Sequence, residues 1–240
     1  MSTGYMILCN ARTGSNYLAS VLDQHPQIDG HNELFHEGKI FTKDGMIDDA
    51  DSLAQRDANP IAYLHHMLAQ SDKPVVGFKH LLFYNQPLID DVMASDLHII
   101  LLERRNILAQ YSSLVIAHKT AEWTLYYGMK PVEPPKLVWD EDTFEAHRQD
   151  YETAYATLHQ QIEARTAPRH HVYYTDLFKP ATIERIHAFL GVASIPITAD
   201  DKTPRKQNST NILHRFTEPE TVRAYLHRIQ HPEWASEQLS

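Results

Sequence analysis

The run Met6-Ile7-Leu8-Cys9-Asn10-Ala11-Arg12-Thr13-Gly14-Ser15-Asn16-Tyr17-Leu18 gathers residue types that hold an anion. Gly14 lets the backbone turn and come close to a charged group. Arg12 carries a permanent charge on a planar fork of donors, and Thr13 and Ser15 carry hydroxyls. A second set lies further on, where Arg104 and Arg105 stand side by side and Ser113 follows Arg105 by eight residues, about two helical turns. An Arg there can grip a phosphate in bidentate fashion while the Ser adds one hydrogen bond. It can equally cap strand carbonyls or pair with Glu103. Arg205-Lys206-Gln207-Asn208-Ser209-Thr210 is the densest basic and hydrogen-bonding run. It fits either a ligand-covering segment or a surface loop. Glu33 is of the type that takes a proton from an attacking alcohol, or is a solvated loop acid. Lys79 and His80 lie within the apolar run 75–83, where Lys79 either contacts a ligand or is a strand-edge lysine.

The elements needed to position these groups are legible in the hydrophobic pattern. Residues 6–9 read as a buried strand, and Tyr17, Leu18, Val21 and Leu22 share one face of a helix. Strand, tight turn and helix together aim free N–H groups and the positive end of the helix dipole at one point. Short strands are expected at 75–83 and 170–174, and 27–31 reads as either a short connection or a second strand. The continuous run 97–102 has the pattern of a central parallel strand buried on both faces. Helices are expected at 61–69, at 87–93, after Asn106, over 140–165, and over 183–190 where Gly191 closes the turn. Residues 39–60 look like a polar surface excursion and 131–135 like a Pro-rich loop. Thr217-Glu218-Pro219-Glu220 has the form of a capping box opening a last helix. Strands alternating with helices imply an α/β fold, a parallel sheet with helices on both faces, and ligands at the carboxyl ends of the strands.

Composition narrows the function classes. An apolar content of 42% in 240 residues allows a sizeable core. The formal charge of −9 disfavours non-specific nucleic-acid binding, so local clusters of Lys and Arg carry information. No apolar run reaches the length of a membrane span. No basic region followed by an apolar segment and cleavage site opens the sequence. The single cysteine, Cys9, fits a reducing cytoplasm, which is the expected location. The sixteen histidines are scattered. The adjacent pairs His65-His66 and His170-His171 cannot chelate one ion from the same face of a regular element, so no metal site is expected.

The first loop lacks the Lys after Gly14 and the leading glycine of a Walker A motif, which argues against an ordinary Mg-ATP site. Arg-Thr-Gly-Ser between strand and helix instead resembles the 5′-phosphosulfate loop of the PAPS-dependent sulfotransferases. Arg105 and Ser113 match the spacing of that family's 3′-phosphate motif. His31-Asn32-Glu33 and Gly77-Phe78-Lys79 resemble stretches of the bacterial carbohydrate sulfotransferases of the trehalose type, in which the Glu is the base. The 205–210 run resembles the segment that folds over the nucleotide.

The resemblance implies one domain over 1–240 with a P-loop-type sheet, a helical acceptor-side segment over about 120–165 and a nucleotide-covering segment over 200–240. It implies PAPS as co-substrate, adenosine 3′,5′-bisphosphate as product, and no metal. It implies nucleotide contacts from Arg12, Thr13, Gly14, Ser15, Asn16, Arg105, Ser113, Lys206, Gln207 and Asn208. Glu33 is the implied base and Arg12 the electrostatic catalyst. Lys79 and His80 are implied on the acceptor side. Cytosolic relatives use a His as base, which leaves His31, His36 and His80 as alternatives. The acceptor is a hydroxyl of a small molecule, sugar or lipid, with some of Trp123, Tyr126, Tyr127, Trp139, Phe144 and Tyr151 lining its pocket and the others in the core. Bacterial relatives are often dimers, so a homodimer fits. The rival functions are a small-molecule or nucleotide kinase with a degenerate loop, and a non-catalytic nucleotide-binding protein of the same fold.

Overall fold

In β1 (Thr3–Cys9), alternate side chains enter two different cores, as the period of a strand requires. Met6 and Leu8 face one, and Tyr5, Ile7 and Cys9 the other. The computed structural model, which describes residues 2–239, builds on this strand a five-stranded sheet that is parallel throughout. The remaining strands are β2 (Ile28–His31), β5 (Val75–Leu81), β6 (His98–Glu103) and β7 (Arg169–Tyr173). Their order is β2-β5-β1-β6-β7, which puts β1 and the residues after it at the centre. The expected strand over 75–83 stops at Leu81.

Helices cover both faces. On one side α1 (Ser15–Asp23) and α7 (Pro180–Phe189) bury Leu18, Leu22, Ile183 and Ile186 against β1 and β6. On the other lie α3 (Pro60–Ala69), α4 (Gln86–Ala94), α5 (Ile107–Thr120), α6 (Glu141–Ala164) and α8 (Pro219–Arg228). The long helix α6 begins where Asp140 accepts a hydrogen bond from the Thr143 N–H, a side-chain N-cap. Its Tyr151 and Tyr155 hydroxyls donate to the carbonyls of Arg104 and Leu102, which seats it at the carboxyl end of β6.

Residues 39–60 do lie largely at the surface, but with ordered structure, the β3 (Ile40–Phe41) and β4 (Met46–Ile47) hairpin followed by α2 (Ala50–Ala58). Buried Arg56 of α2 donates to the carbonyls of Leu34, His36 and Lys39, tying the hairpin to the segment after β2. Thr217-Glu218-Pro219-Glu220 forms no capping box, since α8 starts without a side-chain cap. The Thr217 hydroxyl serves the Leu137 carbonyl and the Glu218 carboxylate instead. Among the described residues, no helix is long and apolar enough to cross a membrane.

Candidate active site

The loop between β1 and α1 is held from outside by its carbonyls. The Asn10 carbonyl accepts from Thr13 Oγ1 at 2.8 Å, that of Ala11 from Gln110 Nε2 at 2.8 Å, and that of Arg12 from Arg104 Nη1 at 2.9 Å. A planar trans peptide turns its N–H away from its C=O, so these anchors direct the N–H groups of residues 11–13 the opposite way. Arg12 and Gly14 both have positive φ, 64° and 89°. At Gly14 a Cβ would lie 2.9 Å from both Tyr174 and Leu177, so sterics and backbone both require glycine. Gly14 caps α1 without a side-chain hydrogen bond, which leaves the first-turn N–H groups of the helix without a side-chain cap. They open into a cavity of about 1040 Å³ at the carboxyl ends of the strands.

At one wall four sequence-predicted residues converge. Arg12 Nε donates to Ser113 Oγ at 3.0 Å, and its Nη2 donates to Gln207 Oε1. Asn208 Nδ2 donates to the same Ser113 oxygen at 3.1 Å. Burial, with repulsion from Arg104, lowers the Arg12 guanidinium to about 10, which still leaves it charged at neutral pH.

Beside them lie Arg104, Lys206 and Arg215, of which Arg104 pairs with the Glu237 carboxylate, Lys206 Nζ donates to the Glu237 backbone carbonyl at 3.5 Å, and Arg215 donates to the Ala109 and Ser209 carbonyls and the Ser112 hydroxyl. Arg104 is buried and grips Glu237 through Nε and Nη2. Arg215 is buried, and its Nε has no hydrogen-bond partner. Its guanidinium is lowered to about 9, first by burial and then by Arg104. Burial lowers the Lys206 ammonium to about 8, with Glu237 opposing and Arg104 and Arg215 reinforcing the shift. Three cations with a single neighbouring carboxylate leave this wall net positive.

Opposite, Glu33 and Lys79 face each other from the ends of β2 and β5. Lys79 Nζ lies 2.8 Å from Glu33 Oε1 and also donates to the side-chain oxygen of Asn16. Asn16, on the first turn of α1, donates to Thr124 Oγ1 at 2.5 Å. Arg12, Gly14, Ser15, Asn16, Glu33, Lys79, Ser113, Lys206, Gln207 and Asn208 thus share one cavity.

Three expected residues stand outside it. Arg105 is exposed, and its guanidinium carbon lies 3.4 Å above the Tyr173 ring. Consecutive residues leaving a strand point opposite ways, and here Arg104 takes the inward direction. Thr13 is fully buried, with its hydroxyl spent on the loop itself. His80 alternates with Lys79 to the other face of β5, where Nε2 meets the Tyr84 carbonyl at 2.9 Å. Burial pushes the His80 imidazole down to about 4. Of the alternative bases, His36 lines the cavity, whereas His31 is buried and accepts the Lys43 N–H.

Sequence reasoning missed Arg104 and Arg215 as wall residues, and Glu237 behind the wall as the partner of Arg104. The doubled Arg104-Arg105 was the available signal for the first, and nothing local marks the others. Within 120–165, Trp123 and Tyr126 line the cavity, whereas Phe144 and Tyr151 of α6 are core.

No family model matches the chain. Among curated proteins, nodulation protein H of Rhizobium tropici is 32% identical over 197 residues, covering 78% of this chain and 75% of that protein. Among solved structures, a sulfotransferase from Alicyclobacillus acidocaldarius superposes with a TM-score of 0.50 at 16% identity over 97% of this chain and 95% of that one. Mouse sulfotransferase SULT7A1, solved with PAP, gives 0.54 at 12% identity over 96% and 83%. The structural likeness carries the fold, and the kinship in sequence spans most of both proteins. On these grounds the chain belongs to the sulfotransferase family and is an enzyme of sulfuryl transfer.

Proposed function

We propose that the sulfuryl donor is PAPS and that the acceptor is a hydroxyl of a sugar, glycolipid or comparable small molecule. One observation carries this reading. The N-terminal turn of α1 and the Arg104–Lys206–Arg215 wall open into one cavity, as a nucleotide phosphorylated at both 5′ and 3′ positions requires. A volume of about 1040 Å³ is at the upper end for small-molecule sites and leaves room for an acceptor beside the nucleotide. Tyr17, Phe83, Trp123 and Tyr126 on the lining offer faces on which a sugar ring can stack.

In this scheme the acceptor oxygen attacks sulfur, and the bond from sulfur to the bridging phosphate oxygen breaks. Glu33 takes the hydroxyl proton, with Lys79 holding the other end of its carboxylate. The departing phosphate gains negative charge, which Arg12 and the N–H groups of residues 13–16 stabilise. The products are a sulfate ester and adenosine 3′,5′-bisphosphate. The 1–240 chain acts as one unit, with residues 200–240 supplying the nucleotide wall through Lys206, Gln207, Asn208 and Arg215.

Titration calorimetry with adenosine 3′,5′-bisphosphate, AMP and Mg-ATP tests the donor. Binding of the bisphosphate at least about tenfold tighter than AMP supports PAPS. A preference for Mg-ATP overturns it in favour of a kinase. An acceptor screen with labelled PAPS then identifies the hydroxyl.

A further inference from the structure

Outside the cavity, three side chains from three elements meet at one point. Glu103 ends β6, His171 lies on the edge strand β7, and His159 projects from α6. His159 Nε2 is 3.1 Å and His171 Nε2 2.9 Å from the same Glu103 oxygen, Oε2. All three donor atoms lie within 4.8 Å of one another. The His171 approach is close in distance but is not a hydrogen bond, and this buried nitrogen has no other partner. None of the three residues lines the cavity.

The cluster is held in place by its neighbours. Tyr155 of α6 donates to the Leu102 carbonyl at 2.9 Å, and His159 sits one helical turn further along the same face. Glu103 and His171 lie on adjacent strands in register with residues two apart, which turns both side chains to the same side of the sheet. Sequence adjacency hides the arrangement, because the spatial partner of His171 is His159 and not His170.

Two imidazole nitrogens and one carboxylate oxygen are the donor set of open zinc-type sites, with bonds of about 2.0–2.2 Å. A tetrahedron of such bonds separates donors by about 3.3–3.6 Å, a few tenths of an ångström beyond the 3.1 and 2.9 Å from the two imidazoles to Glu103 and within the 4.8 Å that spans all three donor atoms. We propose that Glu103, His159 and His171 bind a divalent first-row transition ion, with Zn²⁺ as the reference and a water in the fourth position. Mg²⁺ and Ca²⁺ take oxygen ligands and do not suit a site with two imidazoles. The ion clamps α6 to β6 and β7 immediately before Arg104. This inference does not rest on the choice of sulfuryl donor.

The test uses the full chain stripped with EDTA. Calorimetry with ZnCl₂ is expected to show one tight site per chain. At a hundredfold excess over Kd, Zn²⁺ raises Tm by at least about 5 °C, and MgCl₂ does not. Co²⁺ gives the intense visible bands of a tetrahedral ion. His159→Gln, on the half-exposed helix face, and His171→Gln each weaken Zn²⁺ binding at least about tenfold, a scale already reached by changes outside the ligand shell, and remove the Co²⁺ bands. Wild-type Zn²⁺ affinity in both variants overturns the site, as does an equal Tm rise with Mg²⁺. Absence of any Zn²⁺ binding also overturns it and leaves the cluster as imidazole–carboxylate pairs.

Discussion

The ammonium of Lys79 stands 2.8 Å from a carboxylate oxygen of Glu33, across the carboxyl ends of the paired strands β5 and β2. The contact fixes the carboxylate while leaving one oxygen to take a proton. Replacing Glu33 with Gln is expected to lower kcat by about 10²–10⁴ with little change in nucleotide affinity. Steady-state kinetics beside bisphosphate calorimetry measure both. Near-normal turnover would transfer the base role to His36, which of His31, His36 and His80 is the one that lines the cavity.

Arg105 stacks on Tyr173 outside the cavity, whereas Lys206 lines it. Arg105→Ala is therefore expected to leave the affinity for adenosine 3′,5′-bisphosphate within about twofold. Lys206→Ala weakens it about ten- to hundredfold, the worth of a charged hydrogen bond. AMP, lacking the second phosphate, loses less. Calorimetry on the two variants decides between the assignments.

The same lysine predicts a pH dependence. The Lys206 ammonium is lowered to about 8, so its charge is present at neutral pH and fades as pH rises through that value. Bisphosphate affinity should fall between about pH 7 and 9. Lys206→Arg keeps its charge over this range and should flatten that step, read from affinities across the range.

His80 predicts the opposite limb. Its folded pKa of about 4 lies below the ordinary histidine value of 6.5, because burial disfavours the charged ring. The stability it contributes is fully present above 6.5 and is lost as pH falls towards 4, by about 3 kcal/mol. Denaturant titrations of the wild type and His80→Asn should converge on acidification. Parallel curves would remove His80 as the acid-sensitive group.

Gly14→Ala places a methyl group against Tyr174 and Leu177 in a left-handed conformation. It should destabilise the chain by about 1–3 kcal/mol, visible in Tm, and weaken nucleotide binding along with it.

The order of strands and helices was legible because each buries a repeating apolar pattern. The run 97–102, buried through most of its length in β6, and the stripe of α6 could be read without any partner. The loop around Gly14 was legible for a related reason. A turn that must reach positive φ beside a helix start limits which residues it can contain. The resemblance assigned Arg12 to the 5′-phosphosulfate loop and Ser113 to the 3′-phosphate motif, and their direct hydrogen bond was not anticipated.

Which of two neighbouring arginines turned inward was not encoded locally. Arg104 and Arg105 are chemically identical, and what separates them is the Glu237 carboxylate and the Arg12 carbonyl on one side and the Tyr173 ring on the other. Lys79 and His80 were separated in the same way, by the face of β5 each occupies. The sequence alone determined the fold class, the tight turn at Gly14 and the family, because these rest on periodicity and on contiguous residues. The tertiary structure decided the second wall of the cavity and the meeting of Glu103, His159 and His171. Those sites are assembled by elements distant in the chain, and their geometry exists only once the sheet has brought its strand ends together.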